Sequence, residues 1–145
     1  MKKFFILLYL VLSLAACTAQ KESESIFSAV QKGDLKSVER FISSGIDIDI
    51  QNADGETAAH IAAKNGSISI LQYLLENGAD INVKNNKGNT PLHIAAEKGK
   101  AAAVKLLVEN GTDINAKNDE GNTPIACASL ISGKAVIGKR RFIHT

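Results

Sequence analysis

His60 and His93 are residues whose type could support metal binding or proton transfer, because an imidazole can act as a ligand or a general base near neutral pH. They lie 33 residues apart, and no cysteine or carboxylate cluster accompanies them at the spacing of a metal site. The sequence also offers no nucleophile–base pair and no glycine-rich phosphate loop. It therefore predicts no catalytic residue, no metal site and no cofactor.

The N-terminal segment has the layout of a secretory signal peptide, with Lys2 and Lys3 followed by an almost entirely apolar stretch over residues 4–16. This stretch is too short to cross a bilayer, which takes about 20 residues. Residues 14–17, Leu-Ala-Ala-Cys, resemble the lipobox of bacterial lipoproteins. The resemblance implies removal of residues 1–16 and attachment of a diacylglycerol to Cys17. A plain signal peptide with an incidental cysteine is the alternative.

Residues 17–24 are small and polar and lack a periodic pattern, which predicts a flexible tether. A Cys17 carrying two or three acyl chains would hold the protein on a bilayer, since one chain alone binds only marginally. The expected location is therefore a membrane surface that faces the periplasm or the cell exterior. Thr18 stands where a lipoprotein retained in the inner membrane often carries aspartate. In a cell with two membranes, the resemblance therefore favours the outer one.

A seven-residue motif recurs along the rest of the chain. Thr-Ala-Ala-His-Ile-Ala-Ala at 57–63 returns as Thr-Pro-Leu-His-Ile-Ala-Ala at 90–96 and as Thr-Pro-Ile-Ala-Cys-Ala-Ser at 123–129. Both steps are 33 residues long. Glycine, asparagine and aspartate columns keep the same step: Gly55, Gly88 and Gly121; Asn52, Asn85 and Asn118; Asp47, Asp80 and Asp113. A fixed period of this length predicts a stack of repeated units.

Each unit is predicted to be a pair of helices followed by an extended hairpin. The motif threonine is suited to cap the first helix, and Pro91 fits its first position. Gly66 and Gly99 can adopt the left-handed conformation that ends this helix. The second helix has an apolar face at helical spacing. The hairpin tips are expected near the pairs Asp54-Gly55, Lys87-Gly88 and Glu120-Gly121.

The 33-residue period and the Thr-Pro-Leu-His motif resemble the ankyrin repeat. The resemblance implies an all-α solenoid of helix-turn-helix units joined by β-hairpin loops. The repeats are assigned to residues 25–131, with a cap repeat at 25–52, full repeats at 53–85 and 86–118 and a partial repeat at 119–131. Residues 132–145 form an irregular basic tail.

In this family the motif histidine bonds the motif threonine and the loop backbone, which implies a structural role for Thr57, His60, Thr90, His93 and Thr123. Ala126 takes the histidine's place in the last repeat and predicts a looser end. Cys127 occupies the column of Ile61 and Ile94, so we expect a free, buried thiol there.

Charge argues against nucleic acid as a partner. Of the 17 Lys and Arg residues, six lie in the two terminal segments, so residues 17–133 carry 11 basic and 15 acidic side chains. A domain with this charge balance lacks the excess of basic side chains that binds the phosphates of nucleic acids. The six terminal cations are Lys2, Lys3, Lys134, Lys139, Arg140 and Arg141.

The resemblance places partner recognition at the hairpin tips and on the concave face of the first helices, at positions that vary between repeats. These positions lack large aromatic side chains, which predicts a polar interface. They are Asp54, Glu56, Lys64, Asn65, Asn86, Lys87, Asn89, Glu97, Lys98, Asp119, Glu120 and Asn122.

Three functions are compatible with these features. The first is a monomeric, membrane-anchored adaptor or scaffold that binds another protein and takes no small-molecule substrate. The second is an exported inhibitor or immunity protein that neutralises a toxin or protects an enzyme. The third is a hydrolytic enzyme that uses His60 and His93, which predicts that mutating either histidine abolishes activity in a protein that remains folded.

Overall fold

The computed structural model describes residues 26–132, and the side chains of residues 129–132 are left out of this description. The predicted signal peptide, Cys17, the tether and tail residues 133–145 lie outside the described residues. The described part contains seven helices and no strand. Helix α1 covers residues 26–32. The others are α2 (Leu35–Ser43), α3 (Ala58–Asn65), α4 (Ile68–Glu76), α5 (Pro91–Glu97), α6 (Ala101–Glu109) and α7 (Pro124–Ser132).

The helices stack in two layers. Helices α3, α5 and α7 pack against one another as the first helices of successive repeats, and α2, α4 and α6 form the layer of second helices. Within a repeat, α3 packs on α4 and α5 packs on α6. Each repeat therefore contacts only itself and its neighbours, as expected of a solenoid.

The first helices begin at threonine because Thr57 and Thr90 have extended backbone and accept a hydrogen bond from the N–H three residues later. Pro91 sits at the first helical position of α5, where an N–H would have no intrahelical acceptor. Helix α3 ends at Gly66, whose φ of 72° is the left-handed conformation that caps a helix. The predicted starts at Thr57 and Thr90 and the predicted stop at Gly66 are confirmed, whereas α5 is capped by Lys98, one residue before the predicted Gly99.

Small side chains on the first helices and larger ones on the second helices build the core. Buried alanines line α3, so neighbouring helices can approach it closely. The second helices contribute Ile70, Leu71, Leu74 and Leu107, all essentially inaccessible to solvent. Burying a side chain of this size stabilises the fold by about 1.5–3 kcal/mol.

The connections between repeats turn at the predicted tips, residues 53–55, 86–88 and 119–121. They form no β-ladder within residues 26–132, so the predicted β-hairpins are compact hydrogen-bonded turns there. Each turn is closed by a pair of backbone bonds, such as Asn85 N–H to Asn89 O at 2.9 Å and Gly88 N–H to Asn85 O at 2.9 Å.

The tip glycines have the same backbone conformation but different neighbouring atoms. Gly88 and Gly121 have φ of 73° and 77°. A Cβ on Gly88 would lie 2.7 Å from the backbone nitrogen of Asp119 in the next tip, whereas a Cβ on Gly121 would meet nothing within 4 Å. Stacking of the tips therefore adds a second constraint at Gly88.

We expect Gly88→Ala to destabilise the protein by about 2 kcal/mol more than Gly121→Ala, because both strain the backbone and only the first crowds a neighbour. Urea unfolding followed by circular dichroism measures both. Equal losses of unfolding free energy would mean that the tips are not in close contact.

Candidate functional site

His60 is buried at the junction between two repeats. Its Nδ1 accepts the backbone N–H of Thr57 at 3.1 Å and lies 2.9 Å from the Thr57 hydroxyl. Its Nε2 lies 2.9 Å from the carbonyl oxygen of Asn89, 29 residues further along the chain. A carbonyl only accepts hydrogen bonds, so Nε2 carries the proton and the ring is the neutral Nε2–H tautomer.

His93 repeats this arrangement one repeat later. Its Nδ1 accepts the Thr90 N–H at 3.1 Å, and its Nε2 donates to the carbonyl of Asn122 at 2.9 Å. Each histidine thus completes a capping box within its own helix and bonds the loop of the next repeat. Both ring nitrogens are occupied by these bonds, as the structural role predicted for the two histidines and their threonines requires.

Burial lowers the pKa of His60 and His93 below the ordinary value, because an imidazolium would lose its hydration there. The loop carbonyls that accept from Nε2 oppose this effect. A neutral ring also suits Nδ1, which must keep its lone pair to accept the threonine N–H.

The last repeat keeps the cap without the histidine. Thr123 accepts the backbone N–H of Ala126 at 3.4 Å, the bond that its predicted capping role requires. Alanine lacks the ring through which His60 and His93 bond the following loop. The looser end that this substitution predicts stays a prediction.

Each turn is held by an asparagine whose role the sequence reasoning missed. The Oδ1 of Asn52 accepts from the N–H groups of Asp54 and Glu56, both at 2.9 Å. Asn85 and Asn118 make the same pair of bonds in their own repeats. The 33-residue spacing of these asparagines was the signal that could have revealed this role.

Neighbouring tips are also bonded to one another. The N–H of Asn86 donates to the carbonyl of Asp54 at 3.0 Å, and its side-chain amide donates to the carbonyl of Ala53 at 2.9 Å. One repeat on, the N–H of Asp119 donates to the carbonyl of Lys87 at 3.1 Å. The three tips therefore form one continuous row.

Two shallow grooves lie between this row and the first helices. The groove between the first two tips has a volume of about 300 Å³, and the groove between the second and third has about 480 Å³. We call the two together the tip grooves. They are lined by eleven of the twelve predicted binding residues: Asp54, Glu56, Lys64, Asn86, Lys87, Asn89, Glu97, Lys98, Asp119, Glu120 and Asn122. Their role in binding stays a prediction.

Two of the predicted binding residues have other contacts. Asn65 is outside both grooves, and its side-chain amide lies 3.5 Å from the carbonyl of Gln31 in α1. Asn89 was expected to face outward, but it is largely buried. Its carbonyl accepts from His60, and its Oδ1 accepts from Asn118 at 2.9 Å, because it lies where two repeats meet. Asn89 is therefore part of the floor of the grooves.

The wall of the larger groove contains Cys127, which is buried and free among the described residues, as predicted. Burial raises the pKa of its thiol, and Glu97 and Glu120 add to that effect. A thiol in such surroundings stays protonated and unreactive. No group of three potential metal ligands occurs in residues 26–132, and no helix in that range is long and apolar enough to span a membrane.

The buried histidines predict a loss of stability on mild acidification. The unfolded chain binds protons at its histidines below about pH 6.5, whereas the folded protein resists protonation until its lower pKa is reached. The free energy of unfolding should therefore be constant above about pH 7 and fall between pH 6.5 and 5. Urea unfolding across this range measures the effect.

His60→Gln/His93→Gln is the matched control, since glutamine does not titrate and the fall should shrink. A titration of both rings by NMR provides an independent check. A pKa above 6.5 for either ring would contradict the burial argument.

A family model described as ankyrin repeats in three copies matches residues 26–118. The match covers more than half of the chain and includes both capping boxes, the bridge from His60 to Asn89 and two of the three tips. No curated protein matches the chain. By its sequence match and its stacked helix pairs, the chain belongs to the ankyrin repeat family.

Proposed function

We propose that this protein is a membrane-anchored adaptor or scaffold that binds another protein through the tip grooves. Ankyrin repeats generally bind protein partners, and the family is typically not enzymatic. The observation that carries the proposal is the gathering of non-repeating charged and amide side chains along two consecutive grooves. The recurring polar residues, in contrast, are used in holding the repeats together.

The charges along the grooves favour a partner that presents polar groups. Glu97, Asp119 and Glu120 line the larger groove together with Lys87. In the smaller groove, Lys64 lies 3.9 Å from Glu56, with the lysine side chain 46% exposed and the glutamate side chain 14% exposed. An ion pair this long with a solvent-exposed lysine contributes at most about 1 kcal/mol to stability. Such a weak pair can exchange its partner for a group of opposite charge on another protein. The grooves therefore suit charge-guided recognition.

The rigidity of the grooves also supports binding. Their rims are tied together by backbone bonds between tips, and their floor contains the buried amide of Asn89 bonded to Asn118. Side chains on a fixed framework lose less conformational freedom on binding. A partner would thus meet a largely preformed surface.

The membrane anchor is part of the same proposal and rests on the resemblance of residues 14–17 to a lipobox. Lipidation of Cys17 would keep the repeats at a membrane surface, and residues 17–24 would separate them from it. A partner in the same compartment, either an envelope protein or an exported one, is then the expected ligand.

Charge reversal at the larger groove tests the binding surface. Lys87→Glu/Glu120→Lys should reduce partner capture from envelope extract by about tenfold or more without lowering the melting temperature, because both side chains are exposed. Capture with the full chain in detergent, quantified by mass spectrometry, measures the loss.

The control reverses one lysine and one glutamate on the far side, Lys105→Glu/Glu109→Lys in α6. This variant should capture the same proteins as the unaltered chain. Equal capture by both variants would exclude the tip grooves as the binding surface.

The two cysteines allow a matched test of the anchor. Cys17→Ser should abolish incorporation of radiolabelled palmitate in a bacterial host and release the protein from the membrane fraction, since the lipid is attached to that thiol. Cys127→Ser removes the buried thiol and should leave both properties unchanged. Membrane association that survives Cys17→Ser, or an unlabelled parent chain, would contradict lipidation at Cys17.

A further inference from the structure

The two contacts between neighbouring tips differ in one side chain. In the first contact, the side-chain amide of Asn86 donates to the carbonyl of Ala53 at 2.9 Å. In the second contact, the residues at the equivalent positions, 33 residues further along the chain, are Asp119 and Asn86. An ionised carboxylate only accepts hydrogen bonds, so Asp119 cannot make the bond that Asn86 makes.

Asp119 nevertheless has the same placement as Asn86. A Cβ on Gly55 would lie 3.0 Å from Cγ of Asn86 and 2.8 Å from its backbone nitrogen. A Cβ on Gly88 would lie 3.0 Å from Cγ of Asp119 and 2.7 Å from its backbone nitrogen, and in both tips Oδ1 is the atom nearest to the glycine. The second carboxylate oxygen of Asp119 therefore takes the place of the Asn86 amide nitrogen and faces the carbonyl of Asn86.

These two oxygens have no donor among residues 26–132. Within that range, neither the Asp119 carboxylate nor the Asn86 carbonyl accepts a hydrogen bond, and no ion pair includes Asp119. Both residues are exposed. A donor from another molecule can therefore reach both oxygens.

The charges of the larger groove favour a positively charged donor. In the smaller groove, Lys64 lies in the last turn of α3, where a positive charge suits the negative end of the helix dipole. Glu97 has the equivalent position in α5 and lines the larger groove. The larger groove thus has three acidic residues and one basic residue, whereas the smaller groove has three of each. Those of the larger groove are Glu97, Asp119, Glu120 and Lys87.

We propose that the larger groove binds a lysine or arginine side chain of the partner, which donates to both the Asp119 carboxylate and the Asn86 carbonyl. The inference rests on the proposed function and names the chemistry of the partner at that site. Ammonium and guanidinium groups each carry several N–H donors, so either can bond two neighbouring oxygens. A metal ion fits less well, because Ca²⁺ takes about six to eight oxygen ligands.

Reciprocal substitutions test the geometry. Asp119→Asn should supply the donor that the second contact lacks and raise the exchange protection of its own N–H, which bonds Lys87, by about threefold or more. Asn86→Asp should remove the bond to Ala53 and lower the protection of its own N–H, which bonds Asp54, by a similar factor. Hydrogen exchange resolved by residue with NMR measures both. Unchanged protection in either variant would overturn the proposal.

Peptides selected from a phage-displayed random library on the full chain in detergent test the binding. The selected peptides should share a lysine or arginine. Replacing this residue with methionine should weaken binding to the parent chain by about tenfold, because a charge-assisted bond inside the groove is lost. The same replacement should weaken binding to Asp119→Asn by less than about twofold, and this double-mutant cycle assigns the basic side chain to Asp119.

Asp113→Asn is the matched control. It removes the same charge outside the tip grooves and keeps the oxygen that accepts from Asn115, so the tenfold loss should remain. The proposal would be overturned by equal losses in the parent chain and Asp119→Asn, or by selected peptides that share no basic residue.

The Lys87→Glu/Glu120→Lys variant separates this proposal from the proposed function. If it reduces peptide binding but the cycle shows no coupling to Asp119, the tip grooves stay the binding surface and only the basic-side-chain site is excluded. If the selected peptides bind this variant as tightly as the parent chain, the proposed function is contradicted and this proposal with it.

Discussion

The hydrogen bond from a buried histidine to a backbone carbonyl of the next repeat is the interaction on which the rest of this structure depends. His60 reaches Asn89 and His93 reaches Asn122 across the same 29 residues of chain. The bond requires a proton on Nε2, and the threonine cap requires the lone pair on Nδ1, so the two together require a neutral ring. One histidine side chain therefore fixes the start of its own helix and the position of the next loop, and both bonds depend on its protonation state.

The row of tips follows from this constraint. Once the loop of the next repeat is fixed by a histidine, its tip lies against the preceding one closely enough for backbone bonds, which leaves no room for a Cβ at Gly55 or Gly88. The tip grooves take their shape from this spacing, and their charged residues are presented by a framework that does not have to order itself on binding. The stability and the proposed binding function thus come from different side chains of the same loops.

Much of the fold could be predicted from the sequence, because period, caps and turn glycines are local signals. The 33-residue step predicted the repeated helix pairs, and Thr57, Pro91 and Gly66 marked helix ends correctly. The candidate site was harder to predict from the sequence. The position of Asn89 varies between repeats, as expected of a binding residue. His60, however, bonds the backbone carbonyl of Asn89, a group that every residue has. The side-chain type of Asn89 therefore did not indicate that it is buried. Asn65 lies outside the grooves because of a contact with α1 across 34 residues, which no local pattern encodes.

The tautomer of the two histidines is the most direct test of this account. Nitrogen-15 chemical shifts and long-range proton correlations at pH 7.5 report which ring nitrogen carries the proton, and hydrogen-bond couplings identify its acceptor. The account predicts that both rings are neutral, with a slowly exchanging proton on Nε2 coupled to the carbonyls of Asn89 and Asn122. A neutral ring with its proton on Nδ1 would contradict the bridge between repeats, and a charged ring at that pH would contradict the threonine cap.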